Sequence, residues 1–123
     1  MIRGVHTMFY SSDADATRAF MRDVVGFDAF TDVGDGWLIF DLPESDMGVH
    51  PADETGQFGD PAGTHDISFY CDDIEATVAE LTDQGVHFTE PISDQGFGLV
   101  TRFDIPGGIN VQLYQPAYSK GHG

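Results

Sequence analysis

The chain has 123 residues, with 21 acidic side chains against five basic ones, a formal charge of −16, and 41% hydrophobic residues including ten Phe. That field repels nucleic acid and anionic membrane, and the aromatic content excludes a disordered acidic tail. No apolar run approaches the roughly 18 residues of a membrane span, MIRGVHTMF lacks a signal-peptide pattern, and the lone Cys71 allows no intrachain disulfide, so a cytoplasmic location is expected.

The acids are sixteen Asp and five Glu, and Lys120 is the one lysine. Two physical readings compete. One is attraction of a cationic ligand. The other is the solvated surface of a salt-adapted organism, where counter-ions screen self-repulsion. The even scatter of the acids along the chain favours the second.

In chain order, a strand is expected over 4–10, with Met8 and Tyr10 alternating against Thr7 and Phe9. Ser12 is the expected helix cap, with Asp15 completing a capping-box pattern. Ala16, Phe20 and Val24 make one apolar stripe, and Gly26 stops the helix. Short strands follow over 27–31 and 37–41, separated by Gly34-Asp35-Gly36, and another is expected over 47–50. The segment Pro51 to Gly63 reads as a linker. Then a strand is expected over 65–71, a helix from 73 with Ile74, Val78 and Leu81 on one face, and Gly85 as its stop. Strands over 86–89, 98–104 and 110–115 complete the chain, with Pro106-Gly107-Gly108 as a tight turn.

The order of elements occurs twice. His6-Thr7-Met8-Phe9-Tyr10 leading to Asp13 parallels His65-Asp66-Ile67-Ser68-Phe69-Tyr70 leading to Asp73. Two copies at a spacing of about 60 residues exclude a solenoid, which needs at least three. Each unit reads βαβββ, and each alone is too small to bury enough surface.

Three phrases in this order, namely the His6 strand into Ser12-Asp13, Phe20-Met21-Arg22-Asp23-Val24-Val25-Gly26-Phe27, and Ile105-Pro106-Gly107-Gly108-Ile109-Asn110-Val111-Gln112-Leu113-Tyr114-Gln115-Pro116, resemble the vicinal oxygen chelate superfamily. That superfamily includes glyoxalase I, bleomycin-resistance proteins and extradiol dioxygenases. The resemblance covers nearly the whole chain. It implies an α+β fold of one domain over 1–123, with modules 1–51 and 64–118 joined by a linker over 52–63. The modules would form a cupped mixed β-sheet with helices on the outer face. A homodimer is implied as well.

The resemblance also implies a divalent metal (Fe, Ni, Zn or Mn) held by the first and last strands of each module. Such an ion would act as a Lewis acid in lyase, isomerase or ring-cleaving chemistry on a small molecule. The bleomycin-resistance branch implies the alternative, a metal-free protein that sequesters a small aromatic or cationic compound.

On that pattern His6 lies at the first ligand position, and Gln112 stands where the family usually has a glutamate. Counting seven residues back from Asp73 reaches Asp66, not His65. Alternation agrees: with Asp66, Ser68 and Tyr70 in the cup, the opposite face is Ile67, Phe69 and Cys71, a proper core set. A one-residue slip would reverse every side chain.

His50 has two open registers. If Met47 and Val49 face the helices, Gly48 and His50 turn into the cup. Aligning Met47-Gly48-Val49-His50-Pro51 with Gln112-Leu113-Tyr114-Gln115-Pro116 points His50 away. In the first register His6, His50 and Asp66 would hold the metal with Gln112 beside them, an uncharged amide that either ligates weakly or orients a ligand by hydrogen bonds.

The expected substrate pocket comprises Tyr10, Trp37, Ser68, Tyr70, Phe97 and Tyr114, the tyrosines being candidate proton donors. The segment 93–98 reads either as a flap or as a plain connection. Cys71 is expected to be an inert buried thiol. The salt-adapted reading has a direct test: the thermal midpoint rises by several degrees between about 0.1 M and about 2 M KCl, and a flat response overturns it.

Overall fold

Alternation along the last strand sets the architecture. In Ile109–Pro116 (β6), Val111 and Leu113 are buried on one face, while Gln112 and Tyr114 occupy the other. The computed structural model describes residues 6–42, 44–49 and 51–117. Before β6 the chain forms helix α1 (Ala14–Phe20) with a π-helical turn (Met21–Val25), strands β1 (Phe30–Asp32), β2 (Leu38–Phe40) and β3 (Ser68–Tyr70), helix α2 (Ile74–Asp83), and strands β4 (Ser93–Asp94) and β5 (Gly98–Ile105). The fold is α+β, with mixed sheets and two helices.

The main sheet has the order β3-β6-β5-β4. β3 runs parallel to β6, and β5 is antiparallel to it in a long hairpin closed by Pro106-Gly107-Gly108. A connection between parallel strands needs a crossover element, and α2 supplies it. Its stripe of Ile74, Val78 and Leu81 packs against the core, as the periodicity predicts. β1 and β2 form a separate hairpin, paired Phe30 to Phe40, around the predicted turn at Gly34-Asp35-Gly36.

One core serves both halves of the sequence. Met21 from the first half clusters with Ile74, Val86, Phe103, Ile105, Val111 and Leu113 from the second. Phe69 lies among aromatic rings from three separate parts of the chain: Phe9 at 6.4 Å, Phe27 at 5.7 Å and Phe103 at 6.3 Å between centroids. Offset and edge-on pairs of this kind add to the area they bury.

The two helix starts are built alike. The Asp13 carboxylate accepts from the Ala16 amide at 3.1 Å, and the Asp73 carboxylate accepts from the Ala76 amide at the same distance. Asp13, not the predicted Ser12, is therefore the cap of α1. Ser12 instead donates its backbone N–H to the Gly107 carbonyl at 3.1 Å, and Asp15 pairs with Arg18 rather than closing a capping box. Both glycine stops are observed, with Gly26 and Gly85 at φ of +90° and +89°.

The stripe on α1 is shifted by one position. Ala16, Phe20 and Val24 are half-buried, and the fully buried residues are Thr17 and Met21. Thr17 is polar but satisfied. Its hydroxyl lies 2.7 Å from the Pro106 carbonyl oxygen and 2.7 Å from Ser11 Oγ. This joint ties the start of α1 to the β5–β6 turn.

Other strand expectations differ from the structure. Residues 6–10 and 44–49 form no ladder, and 86–89 is reduced to a single bridge from Phe88 to Phe103. Met47 and Val49, expected to face the helices, are exposed, because their segment finds no sheet partner among the described residues to set an alternation. The expected loop at 93–98 contains β4, whose Ser93 and Asp94 pair with Val100 and Leu99.

The joint gives a paired test of the fold. Gly107 has φ of +99°, and an added Cβ would lie 1.8 Å from Ser11 Oγ, whereas Gly26 has a similar φ and no described atom within 4 Å of such a Cβ. Gly26→Ala is expected to cost about 1 kcal/mol from backbone strain alone. Gly107→Ala is expected to cost about 3 kcal/mol, because the collision adds to the strain. Urea unfolding of both variants measures the difference.

Candidate functional site

The face of β6 opposite the core forms a floor of side chains in rows. Ser68, Gln112 and Arg102 face one another across β3, β6 and β5, and Tyr70, Tyr114 and Val100 make the next row. Phe69 points the other way, into the core. The Gln112 amide Nε2–H donates to Ser68 Oγ at 3.3 Å. Arg102 is held aside: its guanidinium donates to Asn110 Oδ1 at 2.6 Å, and the Asn110 amide donates in turn to Asp104 and Thr89.

Above this floor lies an open cleft of about 610 Å³, lined by Ser68, Gln112, Tyr114, Phe97, Pro51 and the segment 46–49. Its volume suits one small ligand. Phe97 stands on the β4–β5 hairpin with its carbonyl accepting from the Ala117 amide at 2.8 Å, which holds the backbone in place. Its ring meets Tyr114 edge-on at 6.1 Å, and Tyr114 meets Tyr70 at 6.0 Å. The aromatic row therefore runs from the mouth of the cleft along the floor. Phe97 keeps half its surface exposed, so it can take a further contact.

Of the residues named from the sequence, Ser68, Phe97, Gln112 and Tyr114 line this cleft, and Tyr70 adjoins it through Tyr114. Trp37 does not line it. Its ring lies beneath the Arg18 guanidinium, 5.1 Å from the centroid, a cation–π contact on the first half of the chain. Tyr10, His6 and Asp66 are exposed and do not line the cleft. His65 is also exposed, with Nδ1 3.3 Å from the Gly63 carbonyl oxygen. His50 lies outside the described residues.

A divalent metal centre requires three or four converging donors. Among the described residues no group of three His, Cys, Asp or Glu side chains could hold an ion. Gln112 adds only a neutral amide already bonded to Ser68. Cys71 is half-buried beside the Tyr114 carbonyl, and burial pushes its thiol up, with Asp72 and Asp73 acting in the same direction. It is a poor nucleophile in this setting.

Gly48 lines the cleft as one of the two registers expects, and Met47 and Val49 as the other does, while Asp46 and Pro51 were not anticipated there. Their sequence carries a signal: two apolar residues bracket Gly48 in a stretch bounded by Pro43 and Pro51, and proline argues against a central strand. Beyond Pro51 the expected linker is an organised loop. The Asp53 carboxylate accepts from the Thr55 amide, the Thr55 hydroxyl and the Phe58 amide, and the Asp53 amide donates to the Asp60 carbonyl. No helix among the described residues is long and apolar enough to cross a membrane.

The description "Glyoxalase/Bleomycin resistance protein/Dioxygenase superfamily" matches residues 3–113. Among solved structures, the chain is similar to TnmS3, an antibiotic binding protein from Streptomyces sp. CB03234, at 24% identity and a TM-score of 0.64, covering 95% of this chain and 99% of that one. A superfamily member from Sphaerobacter thermophilus gives 24% identity and 0.64, covering 93% and 98%. Lactoylglutathione lyase from Agrobacterium tumefaciens gives 21% and 0.62, covering 92% of each chain. A search of curated proteins found no match.

The Asp53 loop yields a pH prediction. Hydrogen bonds from Thr55 and Phe58 hold the Asp53 carboxyl below its usual range. A depressed carboxyl stabilises the loop at pH above the ordinary value of about 4, and that contribution is lost as pH falls through the lowered one. NMR titration of the Asp53 carboxyl carbon is expected to give a midpoint below about 4. Asp53→Asn is expected to speed hydrogen exchange at Phe58 and to remove its dependence on acid.

Proposed function

The chain belongs to the Glyoxalase/Bleomycin resistance protein/Dioxygenase superfamily, and on that premise we propose that it is a binding protein whose cleft takes up one small aromatic molecule and holds it without chemical change. The observation that carries this reading is the composition of the cleft. Its walls are Met47, Val49 and the half-exposed Phe97, and its floor is the Ser68–Gln112 hydrogen bond and the buried Tyr114. An aromatic ligand gains apolar burial and edge or stacked contacts with Phe97 and Tyr114. The floor amide and hydroxyl orient it.

Support also comes from the antibiotic-binding relative TnmS3, which shares the fold. A metal-dependent lyase or dioxygenase needs His6, His50, Asp66 and Gln112 to converge on an ion. His50 lies outside the described residues, and His6 and Asp66 do not line the cleft that holds Gln112. Homodimeric assembly belongs to the same proposal, and exposed Met8 and Tyr10 give the first segment an apolar outward face that pairing would cover.

The test uses protein purified without a metal-affinity tag. A panel of planar aromatic compounds is expected to raise the thermal midpoint, with added Ni, Zn, Mn or Fe(II) giving no further gain. Phe97→Ala is expected to weaken the best binder about tenfold without lowering the midpoint of the free protein. Absence of any shift across the panel overturns the reading, as does stoichiometric metal whose removal abolishes binding.

A further inference from the structure

We infer that Ser68 and Gln112 together read a donor–acceptor edge, so that the cleft selects neutral aromatic ligands in which a ring N–H stands beside a carbonyl, as in lactams and cyclic imides. The inference rests on the binding reading above and adds the polar half of the ligand. The Ser68–Gln112 bond is the one hydrogen bond either side chain makes among the described residues, and both are half-buried at the cleft floor. No described side-chain polar atom is both buried and unpartnered in the open cleft, but a ligand that covers the floor strips water from Gln112 Oε1 and Ser68 Oγ, which is costly unless the ligand bonds to them.

The direction of that bond decides what is left over. Gln112 gives an amide hydrogen to Ser68 Oγ. The serine hydroxyl hydrogen is therefore free to donate to a ligand carbonyl, and Gln112 Oε1 is free to accept a ligand N–H. Arg102, the neighbour of Gln112 across β5, does not claim that oxygen, because its guanidinium is bound to the Asn110 side chain at 2.6 Å and the Asn110 carbonyl at 3.3 Å. A ligand carboxylate would meet the Oε1 lone pairs in a strongly acidic protein, and a pure hydrocarbon would leave both atoms unpaired. A neutral edge with one donor and one acceptor satisfies both, with its ring carried towards Phe97 and Met47 at the mouth.

Isothermal titration with isoquinolone and N-methylisoquinolone tests this, since the two share ring and carbonyl and differ in the N–H. The wild-type protein is expected to bind isoquinolone about tenfold more tightly. Gln112→Leu is expected to collapse that ratio to about one, while Gln112→Glu, which keeps an acceptor, preserves it. Ser68→Ala is expected to weaken both compounds about fivefold, with Ser68→Thr restoring them. Phe97→Ala weakens both and leaves the ratio unchanged. Equal affinities in the wild type, or a ratio that survives Gln112→Leu, overturn the inference and leave the aromatic-binding reading standing. Binding of neither compound overturns the inference, and failure of the whole aromatic panel overturns the binding reading itself.

Discussion

The two-residue alternation of β6 is the constraint on which the rest depends. Its odd positions, Val111 and Leu113, seal the core against the helix side, and its even positions, Gln112 and Tyr114, build the floor of the cleft. A slip of one residue would bury an amide and expose two aliphatic side chains, so the core enforces the cleft face. The same parity passes sideways through the sheet. Ser68 and Tyr70 are brought beside Gln112 and Tyr114 by the β3 register, with Phe69 turned into the core between them.

A second constraint couples the halves. The start of α1 is bonded to the β5–β6 turn through Ser12 and Thr17, and the start of α2 is bonded to β6 through the Gln115 side chain, which accepts from the Ile74 amide at 3.0 Å. Each helix thus takes its position from the last hairpin. The hairpin in turn carries Gln112 and Tyr114, so the helices and the cleft floor are placed by the same residues. Phe9, Phe27 and Phe103 converging on Phe69 complete this coupling with apolar contact.

The cleft has one wall on regular structure and one on an irregular segment. Phe97 belongs to a hydrogen-bonded hairpin, while Met47 and Val49 stand on a stretch without a ladder. On the proposed binding reading, this asymmetry would keep the polar floor fixed while the apolar wall adapts to the ligand. Promiscuous sites commonly place flexible Met side chains in that position.

Both helices and their glycine stops, the long final hairpin, and the face on which Ser68, Tyr70, Gln112 and Tyr114 sit are legible in the sequence. Those features follow from local periodicity and turn chemistry, which act within a few residues. It also marked Phe97, because glycines flank an aromatic there. Tertiary structure alone decided the rest. Whether Ser12 or Asp13 caps α1 depends on Gly107, which lies far away in sequence and takes the Ser12 amide. Whether Met47 faces a helix or the cleft depends on a sheet partner that its own residues do not specify. The side-chain chemistry of 6–70 names many candidate ligands, but convergence on one point is a property of long-range packing. That packing brings an amide and a hydroxyl together on the floor of an aromatic cleft.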